Sequence, residues 1–252
     1  AVDLDPQGNL ARDLGYWETS DDGQSLAQLL DAGKAKNPRP QVRPRLDVLA
    51  GGSALQPLTD VEASRHDVSS NLEAGLTSLG GQYDLVILDV PPSAGLLQQA
   101  ALSAAHFILI PTKADDASID GLEGLARQIG QVRQRRNPGL LVIGVVLFDL
   151  GAGDHRLRAE ARKELQDLLG DLAPVLTTTV RHSRRAARDM RREGQLAYEY
   201  EKSALRSPRW IDNRSAPRFS TAATGLAADY QQLTDEVLST IAAHMTAREV
   251  AT

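Results

Sequence analysis

Two acidic clusters stand where the chain turns sharply. Asp3-Leu4-Asp5-Pro6-Gln7-Gly8-Asn9 places two carboxylates two residues apart, on one face of an extended segment at its C-terminal end, before Pro and Gly turn the chain. A hydrophilic turn after an edge strand yields the same Asp-x-Asp, so the pattern alone leaves both readings open. Val86-Ile87-Leu88-Asp89-Val90-Pro91-Pro92-Ser93 is an apolar run ending in an acid and two prolines. A carboxylate in that place is costly unless a cation meets it, and Mg²⁺ is the usual cation where phosphate is handled. Capping of the following helix by Asp89 is the plainer alternative. A third cluster is basic: Arg181, Arg184, Arg185, Arg188, Arg191 and Arg192 recur at spacings that put most of them along one side of a helix. From Arg181 to Arg218 eleven basic residues face five acidic ones, in a chain whose formal net charge is −5. Several arginines on phosphates give salt-sensitive, sequence-blind nucleic-acid binding; a solvated face paired with Asp189 or Glu193 is the alternative.

These clusters need a scaffold. Short apolar runs alternate with helical periodicity, the mark of an α/β fold with a mostly parallel sheet flanked by helices. Strands are expected at 84–89, 46–49, 107–110, 140–148 and 175–180, and the nearly continuous apolar run at 84–89 predicts burial on both faces. Ile119, Leu122, Leu125, Ile129 and Val132 form one helical face, Leu157, Ala161, Leu165 and Leu168 another, and Leu226, Tyr230, Leu233, Val237 and Ile241 a third. Three prolines make 37–45 a predicted loop, and the polar stretch 203–224, with Pro208 and Pro217, a predicted surface insertion.

With 252 residues, 42% of them hydrophobic, the chain is long enough to fill one domain over 1–252 with a real core. The absence of cysteine excludes disulfides, zinc-thiolate sites and a cysteine nucleophile. No stretch approaches ~18 uninterrupted apolar residues and the opening residues carry no basic leader, so a cytoplasmic setting without a membrane partner is expected. The five histidines show no ligand spacing, and Ser93 lacks the Gly-x-Ser-x-Gly elbow of a hydrolase nucleophile.

Taken jointly, the motifs resemble the ParA-type partition ATPases, grouped with the cell-division protein MinD among the deviant Walker P-loop NTPases. The stretch 3–9 is similar to that family's second nucleotide motif, and Tyr83-Asp84-Leu85-Val86-Ile87-Leu88-Asp89-Val90-Pro91-Pro92-Ser93 to its Walker B segment. Leu96-Leu97, Ala100, Leu102, Ile110-Pro111-Thr112 and Gly121-Leu122 continue in register, and the likeness runs to about residue 200 and resumes in the last helix. The resemblance implies a P-loop NTPase-like fold with ATP and Mg²⁺ as cofactors. Asp5 would then orient or activate the water that attacks the γ-phosphate, with Asp3 supporting it near the metal. Asp89 would hold Mg²⁺ through water. Pro6, Gln7, Gly8, Asn9, Pro91 and Pro92 would border the nucleotide, with 91–95 as a switch loop. Arg181 falls near the family's base-contacting Pro-Arg-Asn motif, which Val180-Arg181-His182 replaces here. The resemblance further implies an ATP-joined homodimer and a ParB-like centromere-binding partner. Non-specific DNA would lie on Arg184, Arg185, Arg188, Arg191 and Arg192, giving a nucleoid-associated location.

One departure is large. The family's phosphate-binding loop, a Gly-Gly stretch with two lysines followed by Thr, is not found in the chain. Lys34, Lys36, Lys113, Lys163 and Lys202 all lie outside any glycine-rich turn that opens a helix. Weak or absent ATP binding is therefore expected. Without the strand that carries the loop, unpaired ladder groups and aggregation are expected as well. The alternative is a degenerate, non-hydrolysing DNA- or protein-binding adaptor of the same fold. A MinD-like membrane role is disfavoured, because 245–250 is only weakly basic and apolar.

Overall fold

A computed structural model describes residues 1–33, 37–59, 67–91, 95–151, 153–207 and 219–250. In chain order the elements are β1 (Val2–Asp3), α1 (Asn9–Asp13), α2 (Gln24–Ala32), β2 (Arg39–Arg43), β3 (Leu46–Val48), α3 (Val68–Gly80), β4 (Leu88–Asp89) and α4 (Gly95–Ala104). They continue with β5 (Phe107–Thr112), α5 (Asp116–Arg135), β6 (Leu141–Leu150), α6 (His155–Leu169), β7 (Val175–Arg181), α7 (Arg184–Glu193), α8 (Ala197–Arg206) and α9 (Ala223–Val250). The chain divides into two compact units: Ala1–His106 with Ile129–Leu140 and Arg191–Gly194, and Phe107–Gln128 with Leu141–Met190 and Gln195–Thr252.

In the first unit, β1 pairs in parallel with β4, Val2 opposite Leu88 and Asp3 opposite Asp89. On its other side β1 bridges Leu49, just past β3, also in parallel. Asp3 N donates to Leu49 O at 3.0 Å and Leu4 N to Asp89 O at 2.9 Å, so the acidic motif is held between two neighbours. The core beneath is built from Leu4, Leu26, Leu29, Leu30, Leu55, Leu72 and Leu97. It is the leucine-rich stripes of α2, α3 and α4 that close over this small sheet.

Three expectations are corrected here. The apolar run 84–89 is not buried on both faces. Tyr83, Val86, Leu88 and Val90 pack on the core, whereas Leu85 and Ile87 are 52% and 58% exposed. Among the described residues β4 pairs with β1 alone, and a continuous apolar run does not by itself tell one-sided from two-sided burial. Second, 37–45 is not simply a loop: β2 forms an antiparallel hairpin with β3. Its register shifts between Arg39 and Arg43, and Gln41 and Arg45 take positive φ. An irregular edge strand of this kind tolerates Pro40. Third, Asp3 and Asp5 do not both lie on a strand: β1 ends at Asp3, and Asp5 stands just before the turn at Pro6 and Gln7.

In the second unit, β5, β6 and β7 form a parallel three-stranded sheet in that order. The expected strands at 107–110 and 175–180 fall inside β5 and β7, and that at 140–148 matches β6 from Leu141. The three expected helical faces fall on α5, α6 and α9, with Leu157, Leu168 and Tyr230 exposed. On α9, Glu236 reaches β7 and accepts from Thr177 N at 2.7 Å, Thr177 Oγ1 at 2.8 Å and Thr178 N at 2.9 Å. These backbone donors are thereby satisfied by a side chain instead of another strand. Nearby, Val180, Ala186, Tyr200, Ala223 and Leu226 form a further core cluster, with Phe219 packed against it. The 203–224 stretch thus ends in helices α8 and α9; its residues 208–218 lie outside the described residues. Among the described residues, no helix is long and apolar enough to cross a membrane.

Candidate active site

The parallel pairing of β1 with β4 brings Asp3 and Asp89 side by side at the C-terminal ends of their strands, where open α/β sheets hold ligands. The chain then folds back around Asp5. Asp5 Oδ1 accepts from Gln7 N at 2.8 Å, Oδ2 accepts from Asn9 Nδ2 at 3.2 Å, and Asp5 O accepts from Gly8 N at 2.9 Å. This is how a carboxylate fixes a tight turn: the exposed N–H groups of the turn satisfy both of its oxygens. Gly8 sits at φ +60°, and a β-carbon there would come within 3.1 Å of Gly51 O. The fit is closer still at Gly51, where a β-carbon would lie 2.5 Å from Asp5 O and 2.7 Å from Asp3 Cγ. Only glycine leaves room for the acidic loop.

The three acids are not equivalent. Asp3 is fully buried; its Oδ1 accepts from Asp5 N at 3.0 Å, while Oδ2 has no partner among the described residues. Burial above all, with the charges of Asp89 and Asp5 adding to it, pushes its carboxyl up to about 6. Tyr16 Oη is likewise buried without a partner, and burial, with the Asp3 charge next, holds that phenol protonated well beyond its ordinary range. Asp5 is half-buried and Asp89 open to solvent. The Asp89 carboxyl is still raised, first by the protein around it and then by the charges of Asp5 and Asp13. Asp5 and Asp89 therefore share one electrostatic neighbourhood, and its excess of negative charge favours a cation.

The residues fit a divalent ion of a particular kind. Among the described residues no group of three or more His, Cys, Asp or Glu side chains could hold a metal by itself. An all-protein cage is therefore not what they offer. One or two carboxylates at strand ends suit Mg²⁺, which keeps several waters and completes its shell with phosphate oxygens. Of the expected pair Asp3 and Asp89, it is Asp89 that presents its carboxylate to solvent, while Asp3 lies beneath the loop.

The other expected residues are dispersed. Pro6, Gln7, Gly8 and Asn9 form the turn just described; Pro91 follows β4, and Pro92 lies outside the described residues. Arg181, expected beside the nucleotide, is engaged by Asp229. Its backbone N and Nε donate to Asp229 Oδ2 at 2.9 and 2.6 Å, and its Nη2 donates to Oδ1 at 2.8 Å. With Gly225 pressed against the guanidinium, the side chain is committed to fastening α9 to β7.

Arg184, Arg185, Arg188, Arg191 and Arg192 are all exposed on α7, as expected. Arg185 lies 3.7 Å from Asp189, Arg192 3.8 Å from Glu193 and Arg191 3.7 Å from Asp13. Arg184 and Arg188 have no ion pair among the described residues. At the ends of β5 and β6, sequence reasoning missed a further group. Asp149, at φ +64°, contacts His182 Nδ1 and lies 3.1 Å from Lys113 Nζ. The hydrogen bond from His182, opposed by desolvation and helped by Lys113, holds that carboxyl below its ordinary range. Positive φ at a non-glycine residue is not legible in a sequence.

Comparison with known proteins bears on this geometry. The family model AAA_31, an AAA domain, matches residues 1–142, which include both acidic motifs. The Myxococcus xanthus chromosome partitioning protein ParA is 34% identical over 171 residues, covering 64% of this chain and 58% of that protein. The Bacillus subtilis sporulation initiation inhibitor protein Soj is 31% identical over 153 residues, covering 60% of each. The chain is a ParA-type member of the AAA-domain family. This ParA-type chain spans less than two thirds of the length of those relatives. Among solved structures, the cobyrinic acid a,c-diamide synthase of Mycobacterium smegmatis, with bound ADP and magnesium, is 26% identical. It superposes with a TM-score of 0.60 over 87% of this chain and 85% of that one. The ParA-type fold is thus that of the α/β P-loop NTPases.

Proposed function

We propose that this chain acts as a ParA-like ATPase in plasmid or chromosome partitioning, with ATP and Mg²⁺ as cofactors. In this reading two protomers joined by ATP bind DNA non-specifically through the arginines of α7, and a ParB-like partner stimulates hydrolysis. The observation that carries the reading is the pairing of β1 with β4. It sets Asp89 beside the acidic loop, where burial and the Asp5 and Asp13 charges raise the Asp89 carboxyl. Relatives named for chromosome partitioning and a similar structure solved with ADP and magnesium support it.

Phosphoryl transfer asks the protein for positioning and counter-charge, since there is little covalent chemistry to do. Asp5, with both oxygens anchored by Gln7 N and Asn9 Nδ2, is placed to accept a hydrogen bond from an attacking water. Asp89 would hold Mg²⁺ through water, and Asp3 would keep the loop in place through Asp5 N. When bound, Mg²⁺ supplies positive charge against the phosphate oxygens.

The test is nucleotide binding and hydrolysis by the chain with and without Mg²⁺. Asp89→Asn is expected to weaken Mg²⁺-dependent nucleotide binding about tenfold or more, and Asp5→Ala to lower hydrolysis about 10²-fold with binding kept. Because Asp89 must be ionised to hold the ion and its carboxyl is raised, Mg²⁺ binding should weaken on acidification at a higher pH than for an ordinary aspartate. Nucleotide affinity indifferent to Mg²⁺ and to Asp89→Asn would defeat the reading. The competing reading is a non-hydrolysing DNA- or protein-binding adaptor of the same fold. DNA binding without any nucleotide binding would select it.

A further inference from the structure

The C-terminal turn of α7 meets the acidic loop within the first unit. Arg191 Nη2 donates to Asn9 Oδ1 at 2.6 Å, and Arg191 Nε lies 3.7 Å from Asp13 Oδ1. The other end of the same amide, Asn9 Nδ2, donates to Asp5 Oδ2 at 3.2 Å. A side-chain amide is a relay of fixed polarity, with a carbonyl at one end and an NH₂ at the other. Turned by half a rotation, Asn9 would direct its carbonyl oxygen at the Asp5 carboxylate and its NH₂ at a guanidinium. Both contacts would then be repulsive. An arginine on Oδ1 therefore selects the orientation in which Asn9 can hold Asp5.

The turn that carries Arg191 is itself anchored independently of that arginine. Gly194, at φ +60°, packs so closely on Gly15 that a β-carbon there would meet the Gly15 backbone. Arg43 donates to Leu14 O at 2.9 Å and to Gly194 O at 2.5 Å, tying the end of α7 to the chain just past α1. Arg191 is thus delivered to Asn9 by backbone packing, and its removal leaves the docked turn in place. Its charge also faces Asp13, one of the two acids that raise the Asp89 carboxyl.

We infer that Arg191 is a positioning residue of the acidic site, orienting Asp5 through Asn9, and is not one of the DNA contacts of α7. This rests on the reading of Asp5 as the group that orients water. Arg191 and Asn9 then act as one unit, so losing either costs about the same as losing both.

The experiment compares Arg191→Gln, Arg191→Lys, Asn9→Ala and the Arg191→Gln/Asn9→Ala double variant in ATP hydrolysis. Arg191→Gln and Asn9→Ala are each expected to lower kcat about 5- to 20-fold with KM for ATP within about twofold. The double variant should fall no further than the weaker single one, and Arg191→Lys, which still donates to Oδ1, should recover part of the loss. DNA affinity of Arg191→Gln should stay within about twofold, while Arg184→Gln/Arg188→Gln loses about tenfold or more. Independent, multiplying losses in kcat, or a loss of DNA affinity with kcat unchanged, would overturn the inference. Should the wild-type chain not hydrolyse ATP, the functional reading fails, and the link is read from hydrogen exchange at Gln7, whose N–H is held by Asp5 Oδ1. Arg191→Gln is expected to speed that exchange about tenfold without lowering the melting temperature; unchanged exchange would overturn the link itself.

Discussion

Asp3 is a carboxylate with no exposed surface and one oxygen unpartnered among the described residues. Asp3 binds its proton more tightly in the folded chain, at about 6, than in the unfolded one, near 3.8. A raised carboxyl means that ionisation works against the fold, so stability falls as pH climbs from about 4 to 6 and stays low above that. Asp3→Asn keeps an acceptor for Asp5 N and removes the charge. It should therefore stabilise the chain by about 1–3 kcal/mol at pH 7.5 in Mg²⁺-free buffer. Urea denaturation between pH 4 and pH 8 checks this, and the gain should shrink on acidification. A gain that grew toward pH 4 would show that the charge is not the cause. The acids themselves were legible in the sequence because strand-end Asp with Pro and Gly beside it is a local pattern. Their unequal burial was not legible. It depends on Gly51 and Tyr16, which reach Asp3 only through the fold.

At the level of elements, the strands that were read correctly lie in the second unit, where β6 is buried along most of its length. The short strands of the first unit were read less well. Only the two residues of β4 join a ladder, and its apolar run turns alternate side chains outward. Nor could periodicity reveal how elements are fastened to each other. Arg181 and Asp229 are 48 residues apart, and Glu236 lies 58 and 59 residues from the threonines it binds. Burial alone would raise the Glu236 carboxyl, but the hydrogen bonds from Thr178 and Thr177 outweigh it and bring it to about 2, from 4.5. A lowered carboxyl contributes stability that is fully present above 4.5 and is lost as pH falls toward 2. Glu236→Ala should cost about 1–3 kcal/mol at pH 7, with solvent screening favouring the lower part of that range. The deficit relative to wild type should narrow at pH 3. Equal urea midpoints at pH 7 would show that the clasp contributes nothing.

Across the whole molecule, charge is divided unevenly. The chain is acidic overall, with a pI of about 5.6, yet α7 exposes five arginines within nine residues. Arg184 and Arg188 stand free of ion pairs among the described residues, whereas Arg191 is held by Asn9 and Asp13. If DNA lies on α7, log affinity should fall linearly with log salt, and Arg184→Gln/Arg188→Gln should flatten the slope by about 2. Fluorescence polarisation with DNA of unrelated sequences measures this, and a slope that the substitutions leave untouched would move the DNA elsewhere. The arginine spacing announced a basic face, but the sequence could not say which arginine engages the acidic loop.

Residues 191–194 complete a unit whose first 106 residues are contiguous. During synthesis the acidic loop is thus made long before its last neighbour, since Arg191 follows Asn9 by 182 residues. Until then Asn9 has no guanidinium to orient it, and Gly15 no backbone to rest on. A nascent chain stopped short of Gly194 would carry every carboxylate of the centre with its loop unfinished, so maturation of the centre is deferred until translation passes that glycine.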